Sequence, residues 1–287
     1  GARPRPPAPA RLVWRSSAAG LGARTVEPGV ATPWLPWPLV TAADGLALVA
    51  PGPGRRFVAS RLVRLGDVLP SGEARLDAIA RYLQDVAADD GVDAGIDNYL
   101  AWLVRKTVIG VRRRPTMGEH LELVTWASGS GPRWAERRTT ISVDGQPVIE
   151  AASLWVCVDV TTMRPIRLPE RFWTMYGDAV GDRIVSSRLN HPDLPVDPPP
   201  QQRPWSLRVA DLDVLGHVNN AATWAAVEDE LDRAADGARL VGAELEYRGP
   251  VDRTQATMLA SRIEDRGLQV WLAADGSVLA SARLTFG

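Results

Sequence analysis

The feature that most restricts the fold of this chain is that it repeats itself. Val63-Arg64-Leu65-Gly66-Asp67 lines up with Leu207-Arg208-Val209-Ala210-Asp211. The register continues without a gap, so that Gly72 meets Gly216 and Tyr82-Leu83-Gln84-Asp85 meets Ala226-Val227-Glu228-Asp229. Further on, Arg114-Pro115 resembles Gly249-Pro250, and Asp144-Gly145 matches Asp275-Gly276. A fixed order of matches means one unit built twice. In the first unit, Phe57 to Leu65 reads as a strand. Leu76, Ile79, Ala80, Leu83, Val86 and Ala87 recur at helical spacing and predict an amphipathic helix over 75–89. Strands follow at Tyr99 to Val111, His120 to Ala127, Trp134 to Val143 and Val148 to Val158, with a hairpin turn at Asp144-Gly145. The second unit reads as a strand at Trp205 to Val209, a helix from Ala222 to Leu231 and a closing strand at Val278 to Phe286. The class is α+β, and one way to cover the apolar helix face is to bury it in the curl of its antiparallel sheet.

These units divide the chain into an extension (1–56), a first unit (57–168), a linker (169–204) and a second unit (205–287). The extension is rich in Pro, Arg and Ala and has no acidic residue before Glu27. That composition suits a loosely docked extension better than a transit peptide, although Trp34 to Val40 is apolar enough to be expected against the body. Pro169 to Tyr176 reads as a short helix, and Asn190 to Pro204 as an exposed connector carrying a solvated His191. With a net charge of -1 the chain has no bulk attraction for nucleic acid. A single cysteine, Cys157, excludes an intrachain disulfide, and no run of about 20 apolar residues is present to span a membrane. A cytoplasmic protein is expected.

The chemistry concentrates in Asp211-Leu212-Asp213-Val214-Leu215-Gly216-His217-Val218-Asn219-Asn220, a polar turn leading into the second helix. An imidazole and a carboxylate beside a helix N-terminus make a candidate acid/base site. Asn219 or Asn220 is a good helix cap, and helix-start amides around Asn219 to Ala221 can stabilise a developing negative charge. Asp213 and His217 are the candidate acid/base pair, which the resemblance described below narrows to the expected catalytic residues, with Gly216, Asn219 and Asn220 contacting substrate. Asp211 braces the turn. The first unit has Leu69 opposite Asp213 and Glu73 opposite His217, so it supplies framework and much of the ligand pocket. His120 reads as a surface residue. Arg112, Arg113, Arg114, Arg133, Arg137 and Arg138 read as a solvated sheet face, or alternatively as a docking face for an acidic carrier. No metal-ligand cluster, phosphate loop or nucleophile elbow is legible, so neither a metal nor a cofactor is expected.

From about residue 57 onward the sequence resembles the acyl-ACP thioesterases of the plant and bacterial type. The resemblance rests on Tyr82 to Ala87, Trp102-Leu103-Val104, Arg112 to Gly118, Ala152 to Val156, Arg164-Pro165 and Leu168-Pro169-Glu170. Its most specific part is Asp211-Leu212-Asp213 with His217-Val218-Asn219-Asn220. The resemblance implies a tandem double hot-dog fold and hydrolysis of a fatty acyl thioester on acyl carrier protein or CoA; the sequence leaves monomer and homodimer both open. It also exposes two departures. The family's asparagine two residues before the histidine is Leu215 here, and its catalytic glutamate falls at Pro250 in Tyr247-Arg248-Gly249-Pro250-Val251. Asp229 or Glu228 is a candidate replacement for that glutamate. The departures keep open a second class, a double hot-dog that holds an acyl chain or its carrier without hydrolysis. A hydratase of the same fold fits the Asp213–His217 spacing less well.

Overall fold

The computed structural model describes residues 24–25, 51–96, 101–214, 216–235 and 237–287. The expectations for Trp34 to Val40 and for Leu215 fall outside the described residues. In chain order the strands are β1 (Arg24–Thr25), β2 (Phe57–Leu62), β3 (Ala101–Val111), β4 (His120–Ser130), β5 (Trp134–Val143), β6 (Gln146–Val158), β7 (Gln202–Pro204), β8 (Leu240–Tyr247), β9 (Thr257–Glu264), β10 (Gly267–Ala274) and β11 (Ser277–Phe286). The helices are α1 (Leu76–Asp93), α2 (Glu170–Val180) and α3 (Asn220–Ala235).

All the strands form one antiparallel sheet in the order β1-β2-β4-β5-β6-β3-β8-β11-β10-β9-β7. The two halves join where Lys106–Gly110 of β3 pairs with Gly242–Glu246 of β8. Alternate residues of a strand face opposite sides, and one side of this sheet curls around α1 and α3. Leu76, Ile79 and Val86 of α1 and Trp224, Val227 and Leu231 of α3 are buried in the same core as Ile109, Ile149, Leu245 and Leu284 of the strands. A smaller cluster seats Phe172 and Tyr176 of α2 against Ile96, Ala127 and Cys157. Cys157 is buried, as its apolar run suggested.

The repeat extends to irregularities. Both closing hairpins turn through an Asp at φ 50° followed by a left-handed Gly, Asp144-Gly145 and Asp275-Gly276. Both carry a register shift at the same place, between Ile141 and Ser142 and between Leu272 and Ala273. One match needs correcting. The carbonyls of Pro115 and Val251 accept the corresponding amides of Ala74 and Val218, so Pro115 aligns with Val251 and Arg114 with Pro250.

Two other expectations fail. Trp205 to Val209 is not a strand; the chain leaves β7 at Pro204 and enters a 3₁₀ turn at Val209–Asp211. Nor is the linker around His191 solvated. It is strapped onto the sheet face opposite the helices: Trp134 Nε1 donates to Val185 O (2.8 Å), Trp271 Nε1 to Pro192 O (3.0 Å), and Arg248 to His191 O (2.5 Å). His191 is 6% exposed. The sequence missed this because an irregular strap has no periodicity. Its burial is set by backbone groups finding partners on a distant sheet.

Candidate active site

The turn before α3 is a small closed device. The Asp213 amide donates to His217 O (2.8 Å) and the Gly216 amide to Asp213 O (3.0 Å). Gly216 closes it at φ 79°, in the left-handed region that suits glycine. The Asp213 carboxylate accepts the His217 amide at 3.2 Å, which fixes the carboxylate at the root of the histidine. Asp211 is buried and accepts the Arg208 amide at 2.7 Å, while its own carbonyl accepts the Asn219 amide at 2.8 Å. It braces the turn, as expected. Asn219, not Asn220, is the cap: its Oδ1 accepts the Ala221 amide at 2.8 Å.

The turn brings all five predicted residues together, with His217 and Gly216 exposed and Asp213, Asn219 and Asn220 half-buried. The amides of Ala222 and Thr223 are taken by Asn219 O. Among the described residues the Asn220 amide has no acceptor. Beneath it, Tyr247 Oη donates to Asn220 O (3.1 Å) and accepts from Trp224 Nε1 (3.1 Å), so a buried phenol supports the start of α3 from below. Burial raises the Tyr247 hydroxyl above its ordinary range and keeps it a neutral donor.

Sequence reasoning missed Asp252. The Val218 amide bonds Val251 O at 3.2 Å, which draws the following residue toward the turn. The amide and hydroxyl of Thr254 hold the Asp252 carboxyl below the usual carboxylate range, and the charge of His217 acts in the same direction. Asp252 lies two positions after Pro250, where the resemblance places the family's glutamate. Its position two residues past a family landmark was the only available signal.

Glu228 is not part of this turn. Glu228 is buried across the molecule, where its Oε2 accepts the Leu76 amide (2.7 Å) and its oxygens meet Arg114 at 2.9 and 3.0 Å. The arginine face is largely committed as well. Arg137 binds Asp90 (2.5 Å), Arg138 binds Glu136 (3.0 Å) and Arg113 binds Glu119 (2.9 Å). Arg137 and Arg138 are thus not part of a solvated face, whereas Arg113, though paired, and Arg133 are exposed as expected. His120 is exposed, as expected. A small apolar cavity, about 10 Å³, lies under α3 between Ala226, Val227, Leu245 and Leu272.

Comparison with known proteins identifies the family. The sequence profile of the acyl-ACP thioesterase N-terminal domain matches residues 54–176, and that of the C-terminal domain matches residues 199–284. The chain is 26% identical over 243 residues to an uncharacterised protein of Mycobacterium tuberculosis, covering 83% of this chain and 96% of the other. It is 25% identical over 218 residues to a chloroplastic acyl-[acyl-carrier-protein] hydrolase of Cuphea viscosissima, covering 68% of this chain and 52% of that protein. In fold it resembles the 12:0-ACP thioesterase from Umbellularia californica, with a TM-score of 0.70 at 23% identity, over 81% of this chain and 97% of that one. An acyl-ACP thioesterase from Bacteroides thetaiotaomicron superposes with a TM-score of 0.66 at 16% identity, over 81% and 98%. The fold is a double hot-dog, and no described helix is long and apolar enough to cross a membrane. By these two matched domains, the chain belongs to the acyl-ACP thioesterase family.

Proposed function

We propose that this protein hydrolyses a fatty acyl thioester carried on acyl carrier protein, with Asp213 and His217 activating the attacking water. Water adds its oxygen to the thioester carbonyl carbon and gives up a proton to the Asp213/His217 pair. The tetrahedral oxyanion collapses, the carbon–sulfur bond breaks, and the proton leaves with the carrier thiol. Asp252 supports the imidazole as it takes on charge.

One observation carries this reading. In the first unit the amide at the first residue of α1, Leu76, donates to a carboxylate oxygen at 2.7 Å. A hot-dog helix start in this chain therefore does bind negative oxygen. The repeat assigns the same amide in the second unit to Asn220, beside Asp213 and His217. There it would receive the oxyanion, a contribution worth about 10²–10³ in rate.

Free-thiol release from acyl-ACP tests the reading. Asp213→Ala and His217→Ala should each lower kcat/KM by about 10²–10⁴, whereas Glu73→Ala, at the matching place in the first unit, should leave it within about twofold. Wild-type rates in both active-turn variants would overturn it. Pro250, which offers no carboxylate where the family implies one, favours a second reading: a double hot-dog that binds the acyl chain or its carrier without hydrolysis. Binding of acyl-ACP with thiol release no faster than in Asp213→Asn would select that reading, and preference for acyl-CoA over acyl-ACP would change the carrier.

A further inference from the structure

On the sheet face opposite the helices, the linker lays His191 over Glu244 and Glu246 of β8. The Glu246 oxygens accept the Asn190 amide (2.6 Å) and the His191 amide (3.1 Å), which pins the strap. The imidazole is oriented by its other contact. His191 Nδ1 lies 2.9 Å from Ser281 O. A carbonyl can only accept, so Nδ1 carries the proton and Nε2 presents a lone pair. That Nε2 is buried and has no hydrogen-bond partner. It faces the Glu244 Oε1, another lone-pair donor, at 3.6 Å, with the His191 side chain wholly buried. Two acceptors facing each other repel unless a cation or a proton lies between them.

We propose that His191, Glu244 and Glu246 form a structural divalent-metal site of the zinc class, which fastens the inter-unit strap to β8. One ligand atom from each residue lies within 4.8 Å of the other two, and Glu246 Oε2 approaches the ring from its Nδ1 side at 3.9 Å. Zinc bonds of about 2.0–2.2 Å to nitrogen and oxygen set tetrahedral ligand separations of about 3.3 Å, so Nε2 and Glu244 Oε1 are already spaced for one ion. A ligating histidine ordinarily donates its second ring N–H to a carbonyl or carboxylate, and the Nδ1–Ser281 contact is that support.

The groups facing the site include its competitor. Lys106 Nζ lies 3.3 Å from Glu244 Oε1 on the neighbouring strand, and the charge of Arg283 on β11 also reaches the imidazole. Lys106 is the only lysine in the chain. A compact ammonium on a flexible stem can stand in for the cation and withdraw when a metal arrives, which a forked guanidinium could not do as readily. Sequence reasoning expected no metal because the histidine and the glutamates lie on elements far apart in the chain.

Chelator-stripped full-length protein titrated with zinc by calorimetry tests the site, with cobalt absorption reporting tetrahedral nitrogen and oxygen ligation. One ion per chain is expected. Glu244→Gln, at a half-buried position, should weaken binding by at least about tenfold, His191→Gln by about 100-fold or more, and Lys106→Met should tighten it. Zinc should also raise the Tm of the wild type but not of Glu244→Gln. Replacing both exposed histidines, His120→Gln with His217→Gln, should leave binding intact. Absence of binding in the wild type, or equal binding in the wild type and Glu244→Gln, overturns the proposal. Should His191→Gln not fold, the Glu244 and Lys106 variants decide it. None of these readouts depends on thioester hydrolysis.

Discussion

The two strand-turn-helix corners of this protein share a backbone and differ in what fills it. In the first, the Leu69 amide bonds Glu73 O and the Gly72 amide bonds Leu69 O, each at 2.8 Å; in the second, Asp213, His217 and Gly216 repeat the same bonds at 2.8 and 3.0 Å. Gly72 and Gly216 sit at φ 85° and 79°. Yet the first corner places an apolar residue where the second has Asp213, and its helix start is closed by the Glu228–Arg114 pair. The second corner carries Asp213 and His217, and among the described residues its Asn220 amide has no acceptor. A duplicated fold can thus assign chemistry to one copy and convert the other into structure, at the same backbone geometry.

The largest difference expected between the corners is catalytic, the loss of about 10²–10⁴ in kcat/KM with His217→Ala against almost none with Glu73→Ala. Next is the plug in the first corner. Glu228→Ala leaves Arg114 and the Leu76 amide buried without their partner, and should lower stability by about 3–5 kcal/mol in denaturant unfolding. Gln84→Ala, at the matching position of α1, should cost less than about 1 kcal/mol. A small loss in Glu228→Ala would mean that the first corner is not closed by this pair.

The halves also differ beneath their hairpins, where the common register matches Glu150 with Ser281. Burial pushes the Glu150 carboxyl up to about 7, against the smaller opposing effects of its Thr140 hydrogen bonds and of Arg138. Because the folded state holds this proton more tightly than the unfolded chain, its stabilisation is full below about pH 4.5 and lost as pH rises through about 7. Glu150→Gln should therefore gain up to about 3 kcal/mol over the wild type at pH 8 and nothing at pH 4. Equal pH slopes in unfolding titrations would contradict a protonated Glu150. The smallest effect is a test of sameness. Gly72→Ala and Gly216→Ala meet no atom within 4 Å of the added Cβ, so both should pay only the left-handed backbone strain, about 1–2 kcal/mol. Unequal losses would show that the corners differ in backbone as well as in side chains.

Most of the fold was legible before any coordinates. Trp134–Val143 was read to its ends, and α1 and α3 were located from apolar spacing, because alternation and helical periodicity are imposed by which face meets the core. Helix ends were read short, since Asp90 at the end of α1 is buried by its bonds to Arg55, Arg137 and Tyr176 and does not look apolar. At the site, Asp213, His217, Gly216 and Asn219 were legible because a turn and a cap are made by neighbours in the chain. Asp252 was not, because the loop after β8 is brought to the turn only by the Val218–Val251 backbone bond. The choice between Asn219 and Asn220 as cap was settled only by the direction of one side chain.

By itself, then, the sequence determined the duplication, the hairpins and the Asp211–Asn220 turn, because each is encoded by local spacing and by residues suited to particular backbone angles. Only the tertiary structure decided that Glu228 closes the first helix start from 152 residues away, that Arg114 reaches it across 114 residues, and that His191 is buried against the sheet. Charged and polar side chains have no periodic signature. Where they are buried, partners brought together by the packed sheet and helices compensate their desolvation, and those partners exist only once the two units have closed on each other.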